Sequence, residues 1–132
     1  EALESSLLET VVVCPSNPFL SIDPILAVKG VREKLKKSKA RVIAISPIVG
    51  GDAVKGPTAN NLRDLGFSVS AYAIAKYYSD FIDGFMLDKG DENEISQIES
   101  LGIQVGLADT VMTDLQSKIK LAEDVLRFSK TL

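Results

Sequence analysis

Four short apolar runs punctuate the chain, at Val11 to Val13, Val42 to Ile45, Phe85 to Leu87 and Ile103 to Leu107. Each has the length of a strand, and none alternates cleanly between polar and apolar positions. That pattern suits parallel strands covered on both faces, provided helices lie between them. Helical periodicity does lie between them. Pro24 to Lys37 turns Ile25, Leu26, Val28, Val31 and Leu35 toward one side, and Lys34, Lys36 and Lys37 oppose the negative end of its dipole. Pro57 suits the first turn of a helix closed by Gly66, and Ser70 can cap Ala71 to Ser79. Asp91 can cap a helix that carries Ile95, Ile98 and Leu101 and ends at Gly102, and a last helix runs from Asp114 to Ser129. The predicted architecture is α/β, a three-layer sandwich with a mostly parallel sheet and right-handed crossovers, formed by residues 1–132 as a single domain.

At 132 residues the chain is long enough to hold a core unaided. A net charge of -3 with 25% charged residues does not favour nucleic acid as a partner. A single cysteine, Cys14, and the absence of histidine exclude an internal disulfide, the usual zinc constellations and every histidine-dependent triad, and they suit a reducing cytoplasm. No apolar run approaches the roughly 20 residues of a membrane span, and Glu1 to Glu9 lacks the pattern of a signal peptide. Ala2, Leu3, Leu7 and Leu8 read as one face of a helix already under way with no capping signal before it, so further sequence is expected upstream.

In open α/β sheets ligands sit beyond the carboxyl ends of the strands. The loop after Val13 runs from Cys14 to Pro24, and its three prolines restrict Ser16, Asn17 and Ser21. Small polar groups held rigidly at a helix start can bind an anion, although the same residues also make an ordinary turn and N-cap. The loop after Ile45 holds Gly50, Gly51, Lys55 and Gly56 ahead of Pro57. Paired glycines and a lysine before a helix are parts of a phosphate cradle, but the spacing is not that of a Walker loop, and a plain flexible connection fits the bare residues somewhat better. After the last strand, Asp109 and Thr110 could orient a ligand, or simply begin a turn. Tyr77, Tyr78, Asp80 and Asp83 read as a half-buried aromatic patch with a solvated acidic rim, and Cys14 as a small buried residue.

Taken in order, these segments resemble the 2-phospho-L-lactate transferase family. The matching stretches are Pro15-Ser16-Asn17-Pro18, Ser21-Ile22, Pro24-Ile25-Leu26, Ser46-Pro47-Ile48-Val49-Gly50-Gly51 and Lys55-Gly56-Pro57. They continue with Tyr77, Asp80, Asp83-Gly84-Phe85, Leu101-Gly102-Ile103, Ala108-Asp109-Thr110 and Met112. The resemblance covers essentially the whole chain and corresponds to the C-terminal half of such proteins, so this stretch alone is expected to be catalytically incomplete. Cys14 and Asp23 depart from it, each standing where the family commonly has glycine.

The resemblance implies a Rossmann-like fold. It also implies transfer of a phospholactyl or enolpyruvyl-phosphate group from a guanosine diphosphate-linked donor to a deazaflavin acceptor, in the synthesis of coenzyme F-420, with guanosine monophosphate released. Magnesium would serve the complete enzyme, with no metal ligand assigned here. Ser16, Asn17, Pro18, Ser21 and Ser46, together with Gly50, Gly51, Lys55, Gly56, Asp109 and Thr110, would line the substrate and nucleotide cleft; no catalytic residue is assigned. A nucleotide- or deazaflavin-binding module without transfer activity is the alternative, and a structural half that completes a sheet and a homodimer contact is a third.

Overall fold

Residues 10–13, 41–45, 84–88 and 104–108 form strands β1, β2, β5 and β6 of one four-stranded sheet, in that order and parallel throughout. The computed structural model describes residues 2–53 and 57–132. The unbroken apolar runs follow from this placement. In β2, Val42 and Ala44 point into one core while Ile43 and Ile45 point into another, and in β5 Phe85 and Leu87 oppose Met86 in the same way. A strand buried on both faces has no polar side to display.

The larger core lies under α1 (Asp23–Leu26), α2 (Val31–Lys37), α3 (Thr58–Asp64), α4 (Ala71–Tyr78) and α5 (Ile95–Glu99), and contains Leu26, Leu35, Leu62, Ile74, Tyr78 and Ile98. The opposite face is covered by α6 (Leu115–Ser129) through Leu121 and Val125, with Phe128 and Leu132 packed against them. Helices on both faces make the three-layer α/β sandwich expected from the pattern. Gly84 and Gly106 admit α6 closely: a Cβ on Gly84 would lie 2.7 Å from Phe128 Cε1, and one on Gly106 would lie 3.0 Å from the same ring.

Three local expectations fail, each for a physical reason. The helix predicted over Pro24 to Lys37 is two helices, because the chain turns at Gly30 with φ of 84°, a conformation that interrupts α-helix. Leu26 and Leu35 of its apolar side are buried in the core and Val31 packs against it, whereas Ile25 and Val28 stay exposed. The segment after β2, read as a loop, contains a small antiparallel hairpin of β3 (Ile48–Val49) and β4 (Asp52–Ala53). Gly50 and Gly51 are its turn, at φ of 61° and 77°, the backbone that a tight two-residue hairpin demands at both positions. Finally, Asp91 does not cap α5. Asp88 caps the 3-10 turn that leads there, accepting from the Gly90 amide, and Asp91 is buried.

Candidate functional site

Three post-strand segments converge on one cleft of about 360 Å3 at the carboxyl end of the sheet. Pro15, Ser16, Asn17 and Ser21 come from the segment after β1; Ser46, Pro47, Pro57 and Thr58 follow β2; Thr110 and Met112 follow β6. Five residues singled out in the sequence therefore meet here: Ser16, Asn17, Ser21, Ser46 and Thr110. Pro18 is buried behind the cleft rather than among its lining, and Gly50, Gly51 and Asp109 lie outside the lining set. Lys55 and Gly56 fall outside the described residues.

Asn17 organises the first wall. Its side-chain oxygen accepts the amides of Phe19 and Leu20, both at 3.0 Å. The turn it caps, Pro18–Ile22, is wider than an α-helix, with Ile22 N–H reaching back to the Asn17 carbonyl and Asp23 N–H to that of Pro18. Those contacts fix the orientation of the amide group and consume the amides that an anion at a helix start would have used. What remains is Asn17 Nδ2, buried with no hydrogen-bond partner. An amide donor in that state is costly unless an acceptor arrives. Ser16 and Ser21 line the same cleft, and neither hydroxyl bonds to another described residue.

Ser46 and Thr110 are committed. Ser46 Oγ donates to the Ile48 carbonyl at 3.0 Å and accepts its amide at 3.1 Å, which starts the hairpin. Thr110 gives both its amide and its hydroxyl to Asp88, each at 2.9 Å. Burial alone would push the Asp88 carboxyl up, but the donors from Thr110 and Gly90 outweigh it and hold the group below the usual carboxylate range. Asp109 pairs with Lys89 at 2.9 Å in solvent. The Gly50 and Gly51 amides, proposed from sequence for a phosphate, are instead donated to the Asp91 carboxylate at 2.9 and 2.8 Å. Asp88 and Asp91 were missed because a strand-end aspartate and a cap look alike in sequence.

Two further residues are corrected. Cys14 is exposed rather than buried. Tyr78 is fully buried rather than half-buried, whereas Tyr77 is half-buried and donates to Asp23, tying α4 to α1. That bond accounts for an acidic side chain at position 23. Asp80 is not simply solvated but pairs with Arg32 at 2.6 Å and Lys36 at 2.8 Å, and Asp83 accepts the Val42 amide at the start of the sheet.

Residues 1–126 match the family model described as 2-phospho-L-lactate transferase CofD. The chain belongs to the 2-phospho-L-lactate transferase family. It is 39% identical over 132 residues to the 2-phospho-L-lactate transferase of Methanosarcina barkeri, covering all of this chain and 41% of that protein. Against the same-named protein of Methanosarcina mazei the identity is 41% over 127 residues, again 41% of the relative. The phosphoenolpyruvate transferase of Kitasatospora aureofaciens is 35% identical over 123 residues, 38% of its length. The chain thus spans about two fifths of the relatives it matches. These matches establish the family and how much of the relatives the chain spans.

Among the described residues that line the cleft none has a titratable side chain: they are proline, serine, threonine, asparagine and methionine. Among the described residues no group of three or more acidic or cysteine side chains is arranged to hold a metal. No described helix is long and apolar enough to cross a membrane. The described lining can donate hydrogen bonds, but none of its side chains moves a proton at neutral pH.

Proposed function

We propose that this chain forms one wall of the active site of a cytoplasmic transferase, which moves a phospholactyl or enolpyruvyl-phosphate group from a guanosine diphosphate-linked donor to a deazaflavin acceptor. Family membership supports the class of reaction. The relative named phosphoenolpyruvate transferase keeps both acids open for the donor. The observation that carries a role for this chain is Asn17, whose oxygen is locked by two amides while its buried nitrogen lacks an acceptor at the cleft. A phosphate or carboxylate oxygen of the donor supplies that acceptor, with Ser16 and Ser21 adding hydroxyl donors.

The contribution is positioning and electrostatic. Donors fixed before the reaction stabilise charge on phosphate oxygens without reorganising. Magnesium would neutralise the diphosphate in the complete enzyme, held by groups beyond those described here. The described lining is neutral and leaves the proton of the attacking hydroxyl to other groups of the site.

The test uses the full polypeptide with magnesium, a deazaflavin acceptor, and a guanosine diphosphate-linked lactate or enolpyruvate donor, read by mass spectrometry. Coupled product with release of guanosine monophosphate is expected. The neutral cleft also keeps a binding module in view: saturable deazaflavin binding with no product would favour that second reading, and absence of both would overturn the proposal.

A further inference from the structure

The hairpin of β3 and β4 is held at two points. Ile48, at its base, is fully buried in the larger core. Its tip, Gly50 and Gly51, gives both backbone amides to Asp91 at 2.9 and 2.8 Å, one to each carboxylate oxygen. With φ of 61° and 77° the two glycines aim successive N–H groups into one concavity, an arrangement that binds an anion. Here the anion is a side chain only 3% exposed, and such charge-assisted bonds are roughly twice as strong as neutral ones.

The same turn reaches the far wall of the cleft. Gly90 abuts the hairpin tip: a Cβ there would lie 3.5 Å from the Gly50 nitrogen and 3.2 Å from Asp88 Oδ1. Asp88 accepts the Gly90 amide with one oxygen and Thr110 with the other. Residues 88–91 therefore brace the hairpin tip against the segment after β6. The hairpin itself leaves and rejoins the cleft wall, since Ser46 and Pro47 precede β3, Pro57 and Thr58 follow β4, and all four line the cleft. Asp91 is not among the lining residues and acts on that wall only through the hairpin.

We propose that Asp91 is a positioning residue for the cleft: by clamping Gly50 and Gly51 it sets where Ser46, Pro47, Pro57 and Thr58 stand, and so how closely that wall meets the donor's phosphate oxygens. The role rests on the cleft being the donor site of the transferase proposed above. An asparagine at position 91 offers one carbonyl oxygen to two amides and turns its own NH2 toward the second, so the clamp loses a bond and gains a clash between donors. A wall displaced in this way weakens ground-state and transition-state binding alike, which raises KM more than it lowers kcat.

Asp91→Asn and Asp91→Ala in the full polypeptide test this against the wild type, in the transfer assay with magnesium and by amide NMR. KM for the guanosine diphosphate-linked donor should rise at least tenfold in Asp91→Asn, while kcat stays within threefold. Asp91→Ala leaves a cavity facing two unpaired amides, and added formate should bring KM back toward the wild-type value. An aspartate that served stability alone would show that rescue only in the melting midpoint. The amide signals of Ser46 and Thr58 should shift in both variants, and formate should reverse the shift in Asp91→Ala. A wild type inert in the assay would sink the transferase reading and leave the clamp to be decided by these signals. Shifts confined to Gly50 and Gly51 would overturn the inference, as would a lowered midpoint with KM unchanged. Should Asp91→Ala fail to fold, Asp91→Asn decides through the same two readouts.

Discussion

The Asp88 carboxylate holds Thr110 by two hydrogen bonds of 2.9 Å, one from the backbone amide and one from the hydroxyl, and so joins the ends of β5 and β6 beneath the cleft. Hydrogen bonds to a buried charge contribute more than neutral ones, and removing the acceptor strands two buried donors. Asp88→Ala should therefore cost about 3 kcal/mol in urea unfolding, and Thr110→Val about 1–2 kcal/mol. A double-mutant cycle should show strong coupling between them. Because the folded carboxyl titrates below its ordinary value of about 4, its contribution is complete above that pH and is lost as the pH falls through the lower folded value. Asp88→Asn should flatten the acid limb of the stability curve; an unchanged limb would refute this role.

Asn17 separates folding from binding. In Asn17→Asp the oxygen that accepts the Phe19 and Leu20 amides is retained, while the unpartnered Nδ2 is replaced by a second acceptor. The melting midpoint should hold, and affinity of the full polypeptide for the guanosine diphosphate-linked donor proposed above should fall at least tenfold by calorimetry. Asn17→Ala should lose the cap too, at about 1 kcal/mol. Equal donor affinity in the wild type and Asn17→Asp would remove Asn17 from the binding wall.

Adjacent tyrosines should respond in opposite directions to loss of their hydroxyls. Tyr77 donates to Asp23, and burial followed by that bond pushes its phenol up to about 12. Tyr77→Phe should destabilise by about 1 kcal/mol. The contribution is present below the unfolded value of about 10 and is lost as the pH rises toward the folded value, so ultraviolet titration of the variant should lose one late-titrating phenol and keep that of Tyr78. Tyr78 places a buried hydroxyl without a partner, and burial raises its phenol further. Tyr78→Phe should be neutral or stabilising by about 1 kcal/mol, as denaturant midpoints would reveal.

Close approach of α6 to the sheet gives a steric prediction. A Cβ on Gly84 would come within 2.7 Å of Phe128 and 2.9 Å of Leu132. Gly84→Ala should cost about 1–3 kcal/mol through displacement of that ring, and adding Phe128→Leu should recover part of the loss. Additive effects of the two changes would show that the ring does not set the spacing.

Much of this protein was legible in the residues themselves. The four main strands follow from apolar runs too short for helices and too continuous for a half-exposed sheet, and α6 follows from its period with Asp114 as cap. The order of Pro15-Ser16-Asn17-Pro18 and its companions pointed to the family because such polar loops are not needed to build a core. Hydrophobic periodicity records burial, and burial is largely what settles a layered α/β sheet. Tertiary structure alone decided where the polar groups went. Asp91 reaches the hairpin amides across 40 and 41 residues of sequence, Asp88 reaches Thr110 across 22, and Tyr77 reaches Asp23 across 54. A hydrogen bond depends on where two groups end in space, and nothing local to either records its partner. For the same reason the glycine pair that read as a phosphate cradle became a hairpin turn, while Asn17 kept a free donor at the cleft.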